Sequence, residues 1–175
     1  MSASRSESRV RRLAGLMSWV TLALGALMTV ASIYIWFDWS APVPASPEFV
    51  QISTATQASL MALVGLPALG LMLWGLWNAF WLFRNLRGGA VFVTETGTRI
   101  HRVGLAILLL PFVGVASGAA ATVITSWNNP PGEHEISVTI GSADVVMLVA
   151  GAMLLLLGWA MAKATSIADE NRQFV

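Results

Sequence analysis

All ten Lys and Arg residues of this 175-residue chain lie on one side of four long, uncharged, apolar stretches. The stretches run from Leu13 to Phe37, Ala58 to Phe83, Val103 to Trp127 and Val145 to Ala162. Each is close to the roughly 20 residues that a helix needs to cross a bilayer. Arg5, Arg9, Arg11 and Arg12 precede the first stretch, and Arg84, Arg87, Arg99 and Arg102 separate the second from the third. Lys163 and Arg172 follow the fourth. The two remaining connections hold Asp38, Glu48, Glu133, Glu135 and Asp144 and neither Lys nor Arg. Because positive loops stay in the cytoplasm, this layout predicts an all-α membrane fold with both termini and the central loop inside. The helices are expected at about 13–37, 58–87, 95–127 and 143–170, forming one membrane domain with four transmembrane helices.

A hydrophobic share of 56% agrees, since soluble domains hold about 45–50%. The net charge of +1 comes without a basic run, so no direct nucleic-acid binding is expected. The absence of cysteine excludes a disulfide framework, a thiolate nucleophile and a thiolate metal site. A cleaved secretory signal is a poor reading of the first stretch: a signal's apolar core is about 7–15 residues, and this one continues to Asp38.

Local signals fill in the ends of the spans. Tyr34, Trp36, Phe37 and Trp39 form an aromatic belt suited to headgroup level, and Pro42, Pro44 and Pro47 then exclude helix. Thr54 and Gln57 have capping-box spacing for the second helix, with Gln57 reaching back. Pro67 and Pro111 should bend the second and third helices. Gly88-Gly89 should stop the second through a left-handed C-terminal cap. Thr94 should cap the third helix, where Glu95 precedes Arg99 by four residues in the favourable order for an ion pair. Ser142 should cap the fourth, with Asp144 at its positive end. In the second outer loop, Glu135 to Ile140 alternates polar and apolar residues as a strand does. Phe49 to Ile52 alternates similarly, so the two outer loops are expected to pair as a small extracytoplasmic β element.

Few residues suggest chemistry. Glu133, His134 and Glu135 are metal-ligand types, but in a strand His134 would point away from the two carboxylates. No metal and no cofactor is expected. Trp74, Trp77 and Trp81 share one helix face. Such a row serves packing or an interfacial belt more often than a haem, quinone or pigment. Gly114 and Gly118 have the small-xxx-small spacing that lets another helix approach, and are expected to form a packing surface. The spans carry no ionisable side chain, whereas ion and proton pathways usually mark themselves with one. Asn78, near the inner end, is their strongest polar side chain and is suited to helix packing.

The stretch Leu82-Phe83-Arg84-Asn85-Leu86-Arg87-Gly88-Gly89-Ala90-Val91-Phe92-Val93-Thr94-Glu95, followed by Arg99, Arg102 and Gly104, resembles a family of small four-helix bacterial membrane proteins of unknown function, the YoaS-like group. The ending Ile167-Ala168-Asp169-Glu170-Asn171 is similar too. Thr96 and the terminal Gln173-Phe174-Val175 depart from its commonest pattern. The resemblance implies the bacterial cytoplasmic (inner) membrane and brings no catalytic residues. It also implies a frequent gene neighbour encoding a small helix-turn-helix regulator.

The expectation is therefore a non-enzymatic protein in the lipid bilayer that binds a partner, such as that regulator, through its cytoplasmic loop and tail. Arg84, Arg87, Glu95, Arg99, Arg102, Asp169, Glu170 and Arg172 would form the polar inner surface, with Phe92 and Phe174 as apolar anchors. The alternative is an accessory subunit packed against a larger membrane complex through the tryptophan row or the Gly114–Gly118 face.

Overall fold

A computed structural model describes residues 3–37, 55–88, 94–127, 129–130, 132 and 134–172. It contains four helices: α1 (Ala3–Phe37), α2 (Ala55–Arg87), α3 (Thr94–Ser126) and α4 (Ser142–Arg172). All four are long and apolar enough to cross a membrane, over Arg12–Tyr34, Thr56–Arg87, Glu95–Ser126 and Ser142–Ile167. By length and composition this is a multi-pass membrane protein. The first helix starts ten residues before its apolar stretch and the last continues past Ile167, so both overrun their spans at the arginine-rich end.

The helices stand in a single row. On α3, Arg99, Ala106 and Ser117 meet α2, whereas Gly97, His101, Gly104 and Leu108 meet α4. At about 3.6 residues per turn these two sets lie on nearly opposite sides of the helix. On α2, Gln57, Val64, Gly75 and Asn78 face α3, while Leu73, Leu76 and Arg87 face α1, again on roughly opposite sides. Among the described residues α1 touches only α2, and α4 touches only α3. An open row of this kind has little interior. Ala14, Ala106 and Pro111 are the buried apolar side chains among the described residues, while Leu16, Trp19, Leu63, Phe112, Met153 and Trp159 point outward. In water that surface would aggregate; in a bilayer it is an ordinary lipid-facing surface.

Polar groups inside the row are satisfied locally. Ser18 Oγ donates to the Gly15 carbonyl at 2.7 Å and Thr21 Oγ1 to that of Ser18 at 2.9 Å, so both hydroxyls are buried without an orphaned donor. Ser117 Oγ donates to the Val64 carbonyl at 3.1 Å, in the turn where the Pro67 ring disturbs the α2 ladder. A neighbouring hydroxyl is how membrane helices tolerate proline.

Close backbone packing is concentrated between α3 and α4. A Cβ added to Gly158 would lie 2.5 Å from His101 N, and one added to Gly151 would lie 2.6 Å from Leu108 N. Added to Gly104 or Gly97 it would meet Leu155 N at 2.7 Å or Ala162 N at 2.9 Å. Both helices repeat glycine every seven residues, which keeps the hole on one side of each antiparallel partner. Gly114 and Gly118 do not serve this purpose. Nothing lies within 4 Å of a Cβ built on either, so the packing surface expected there is not used by any helix of this chain.

Several ends differ from expectation. Glu135 to Ile140 forms no strand; no strand occurs among the described residues. Its backbone bonds instead with the top of α3: Ser137 N donates to Thr122 Oγ1 at 3.1 Å, and Ser126 Oγ donates to the Glu135 carbonyl at 3.3 Å. The hydroxyls of α3 thus occupy groups a ladder would need. Phe49 to Ile52, the other half of the expected β element, lies outside the described residues, as does Thr54. Gln57 sends its amide across to the Ile124 carbonyl at 3.1 Å, tying α2 to α3. The fourth helix is capped one residue earlier than expected, because Asp144 accepts from Gly141 N at 2.7 Å and fixes Gly141 as the N-cap. At Gly88 the N–H bonds to the Arg84 carbonyl at 3.2 Å without positive φ, so the left-handed cap is not at this glycine.

Candidate functional site

The best-defined polar arrangement sits where α2 ends and α3 begins. Trp77, Phe80 and Trp81 form a connected aromatic group on the last turns of α2, with ring centroids 5.9–6.2 Å apart. Trp77 meets Trp81 edge to face, the arrangement the ring quadrupoles favour. The Arg84 guanidinium lies 4.8 Å from the Trp81 ring centroid, and that of Arg99, from α3, lies 5.9 Å from it. Both distances are within cation–π range, which is about 6 Å.

Asn78 holds Arg99 in place. Its side chain is only 1% exposed, donates to the Trp74 carbonyl at 2.8 Å and accepts from Arg99 at 3.1 Å through Oδ1. The other branch of Arg99 reaches Glu95, one turn earlier on α3, at 3.2 Å. The exposed Glu95 contact alone contributes only about 0.3–0.5 kcal/mol. The bond to buried Asn78 decides the position, since a hydrogen bond to a charged group contributes about 1.5–3 kcal/mol. Arg84 has no carboxylate partner among the described residues.

Of the residues expected on the inner surface, the structure brings Arg84, Glu95 and Arg99 together around Trp81. Arg87 instead packs its stem toward α1 beside Gly15, where an added Cβ would lie 3.7 Å from Arg87 Cδ. Arg102 and Glu170 are exposed. Phe92 and Phe174 lie outside the described residues, and so do the side chains of Asp169 and Arg172. Trp74 and Trp77 face outward, with Trp77 55% exposed, whereas Trp81 is half-buried and meets Arg99 of α3. Sequence reasoning missed that Asn78 and Arg99 form one unit. A lone amide in a span facing an arginine in the next helix was the available signal.

His134 Nδ1 lies 2.9 Å from the Ser126 carbonyl at the end of α3, the contact an N–H there would make. Among the described residues no three His, Cys, Asp or Glu side chains could hold a metal ion, and Glu133 lies outside them.

Four helices long and apolar enough to cross a membrane, with a charged end, define a helical multi-pass membrane protein. The chain belongs to a family described as a protein of unknown function (DUF2975), whose model matches residues 17–173. That match carries the resemblance at family level and does not extend to the YoaS-like name. No curated protein and no solved structure matches the chain.

Proposed function

We propose that this is a non-enzymatic membrane protein with both termini in the cytoplasm, which binds a partner at the arginine-rich end. The observation that supports the reading is where exposed charge gathers. Arg87 lies beside Gly15, and Gly97 beside Ala162, so the ends of all four helices meet at the same level. Exposed Arg84, Arg87, Glu95, Arg102 and Glu170 lie at that level, and the overrun of α1 and α4 builds it outward. A cytoplasmic protein with a mixed-charge surface, such as a small helix-turn-helix regulator, fits this end.

Orientation is tested by cysteine labelling, for which a chain without native cysteine is a clean background. Ser137→Cys should react with an impermeant maleimide from outside, and Ser166→Cys only after permeabilisation. The reverse pattern would invert the proposal. The partner is tested by affinity capture from native membranes with wild type, Arg102→Gln and a chain lacking residues 169–175. A soluble protein retained by wild type and lost from both variants is the expected result. Arg99 is unsuitable for this purpose because its loss would disturb Asn78.

A second reading, an accessory subunit of a larger membrane complex, is favoured by the open row itself. Trp77, Phe112, Gly114 and Gly118 all present surface that no helix of this chain covers. Recovery of integral membrane proteins alone, indifferent to the Arg102 change, would select it.

A further inference from the structure

We propose that Arg84 and Arg99, seated on Trp81, bind the phosphate of an anionic phospholipid whose acyl chains lie along Trp77 and Trp74. The inference needs only that the helices span a bilayer, and stands apart from the partner proposed above. Three observations carry it. First, depth: Arg84 is three residues from the end of the α2 span, and Arg99 is four from the start of the α3 span, so both reach headgroup level. Second, unspent charge: Arg84 has no anionic neighbour among the described residues, and Arg99 commits one nitrogen to Asn78 and one to Glu95. A guanidinium carries five N–H donors, so Arg99 retains several for a second oxygen ligand. Two arginines and one carboxylate leave the site net positive, which invites an anion. Third, shape: Trp77 and Trp74 are exposed on the same face of α2 immediately deeper in the membrane, an apolar track continuous with the charged head of the site.

These features also decide between headgroups. The phosphate of a zwitterionic lipid brings an ammonium group, which two neighbouring guanidinium groups repel. A glycerol headgroup brings hydroxyls and no positive charge. Free phosphate would satisfy the arginines and leave the tryptophans exposed, so the track selects a lipid as the source of the phosphate. Because Asn78 fixes Arg99 before any ligand arrives, little side-chain entropy remains to be lost on binding.

The full chain in detergent is titrated with phosphatidylglycerol, or with phosphatidylcholine of the same acyl chains, and bound lipid is counted by native mass spectrometry. One phosphatidylglycerol should be retained well beyond the rest, with no matching phosphatidylcholine. Arg84→Gln should weaken that retention about tenfold or more, the loss of a charge-assisted hydrogen bond. Trp81→Leu should weaken it without any change of charge. Lys163→Gln removes the same charge from α4, away from Trp81, and should leave retention unaltered. Arg84 is exposed, so its variant keeps the test valid even if Trp81→Leu lowers folded yield. Equal weakening by Lys163→Gln and Arg84→Gln, about fivefold for each as diffuse attraction predicts, would overturn the proposal. So would equal retention of the two lipids. Displacement of bound lipid by millimolar inorganic phosphate would overturn the assignment to a lipid.

Discussion

Along α3 and α4, glycines at 97, 104, 151 and 158 set backbone against backbone, and a single methyl at any of them would fall within 3 Å of a main-chain nitrogen. Where α1 meets α2, Gly15 and Gly25 face only side-chain atoms. A Cβ on Gly25 would meet leucine methyl groups of residues 73 and 76 at 3.9 Å, and one on Gly15 would meet the Arg87 stem at 3.7 Å. Apolar burial gives lipid-embedded helices no net drive to associate, so shape and close contact decide which pairs hold. The α3–α4 pair is therefore the rigid half of the molecule, and α1 is held by contacts that can slide. The charged site lies at the joint between the halves, where Asn78 and Arg99 tie α2 to α3.

The largest expected effect tests the rigid half. Gly158→Ala or Gly104→Ala should each destabilise the protein by about 1–3 kcal/mol, because the added carbon meets backbone that cannot rotate away. Both together should approach loss of the folded form. The measurement is thermal or denaturant unfolding in a mild detergent. A wild-type melting curve for Gly158→Ala would show that α3 and α4 are further apart than a 2.5 Å approach of the added Cβ to His101 N requires.

The joint comes next. Asn78→Leu should cost about 1–3 kcal/mol by leaving the Arg99 guanidinium short of an acceptor in a largely buried position. A double-mutant cycle with Arg99→Leu isolates the pair, since removing both partners leaves nothing unsatisfied. If the two losses simply add, this hydrogen bond contributes nothing, and the halves are joined by shape and by the bonds of Gln57 and Ser117.

The four helices were legible because length, hydropathy and the absence of charge all report the same requirement, that a chain in lipid satisfy its own backbone. The seam was not. Gly114 and Gly118 have the better-known spacing, yet a small-residue stripe states only that a helix can approach there. Whether one does depends on every competing face. The seven-residue repeat of Gly97 with Gly104 and of Gly151 with Gly158 was present in the sequence, and it is the one whose two copies match each other across an antiparallel pair. The expected strand failed for a related reason: alternation in Glu135 to Ile140 says how side chains point, not where the backbone bonds go. Thr122 and Ser126 of α3 supply those partners, and no periodicity announces that. In the site, Glu95 and Arg99 were legible as neighbours on one helix. Asn78 was not assigned to them because helix order within the row fixes that meeting.

A smaller effect, of opposite sign, sharpens the contrast on the loose half. Gly25→Ala should leave stability unchanged or raise it by up to about 0.5–1 kcal/mol, the usual gain when alanine replaces glycine inside a helix. The space is there, since the nearest atoms are movable leucine methyl groups at 3.9 Å. A loss comparable with that of Gly158→Ala would erase the distinction between the two seams.

The smallest expected effect is at Gly118, and it bears most directly on what surrounds the row. A Cβ there meets nothing within 4 Å, so Gly118→Leu in the isolated protein should shift stability by no more than about 0.5 kcal/mol, as for an outward-facing surface position. Lipid chains flow around a leucine, whereas a helix packed tightly on a glycine cannot. The informative comparison is therefore between two preparations of the same variant. If Gly118→Leu is neutral in detergent and retains every co-purifying protein from native membranes, this face looks at lipid and the row is complete as it stands. If it is neutral in detergent but sheds an integral membrane protein, another chain's helix occupies the face and the accessory-subunit reading gains its binding surface. If it destabilises the purified protein itself, the face is already packed, and the open row is not the form present in detergent.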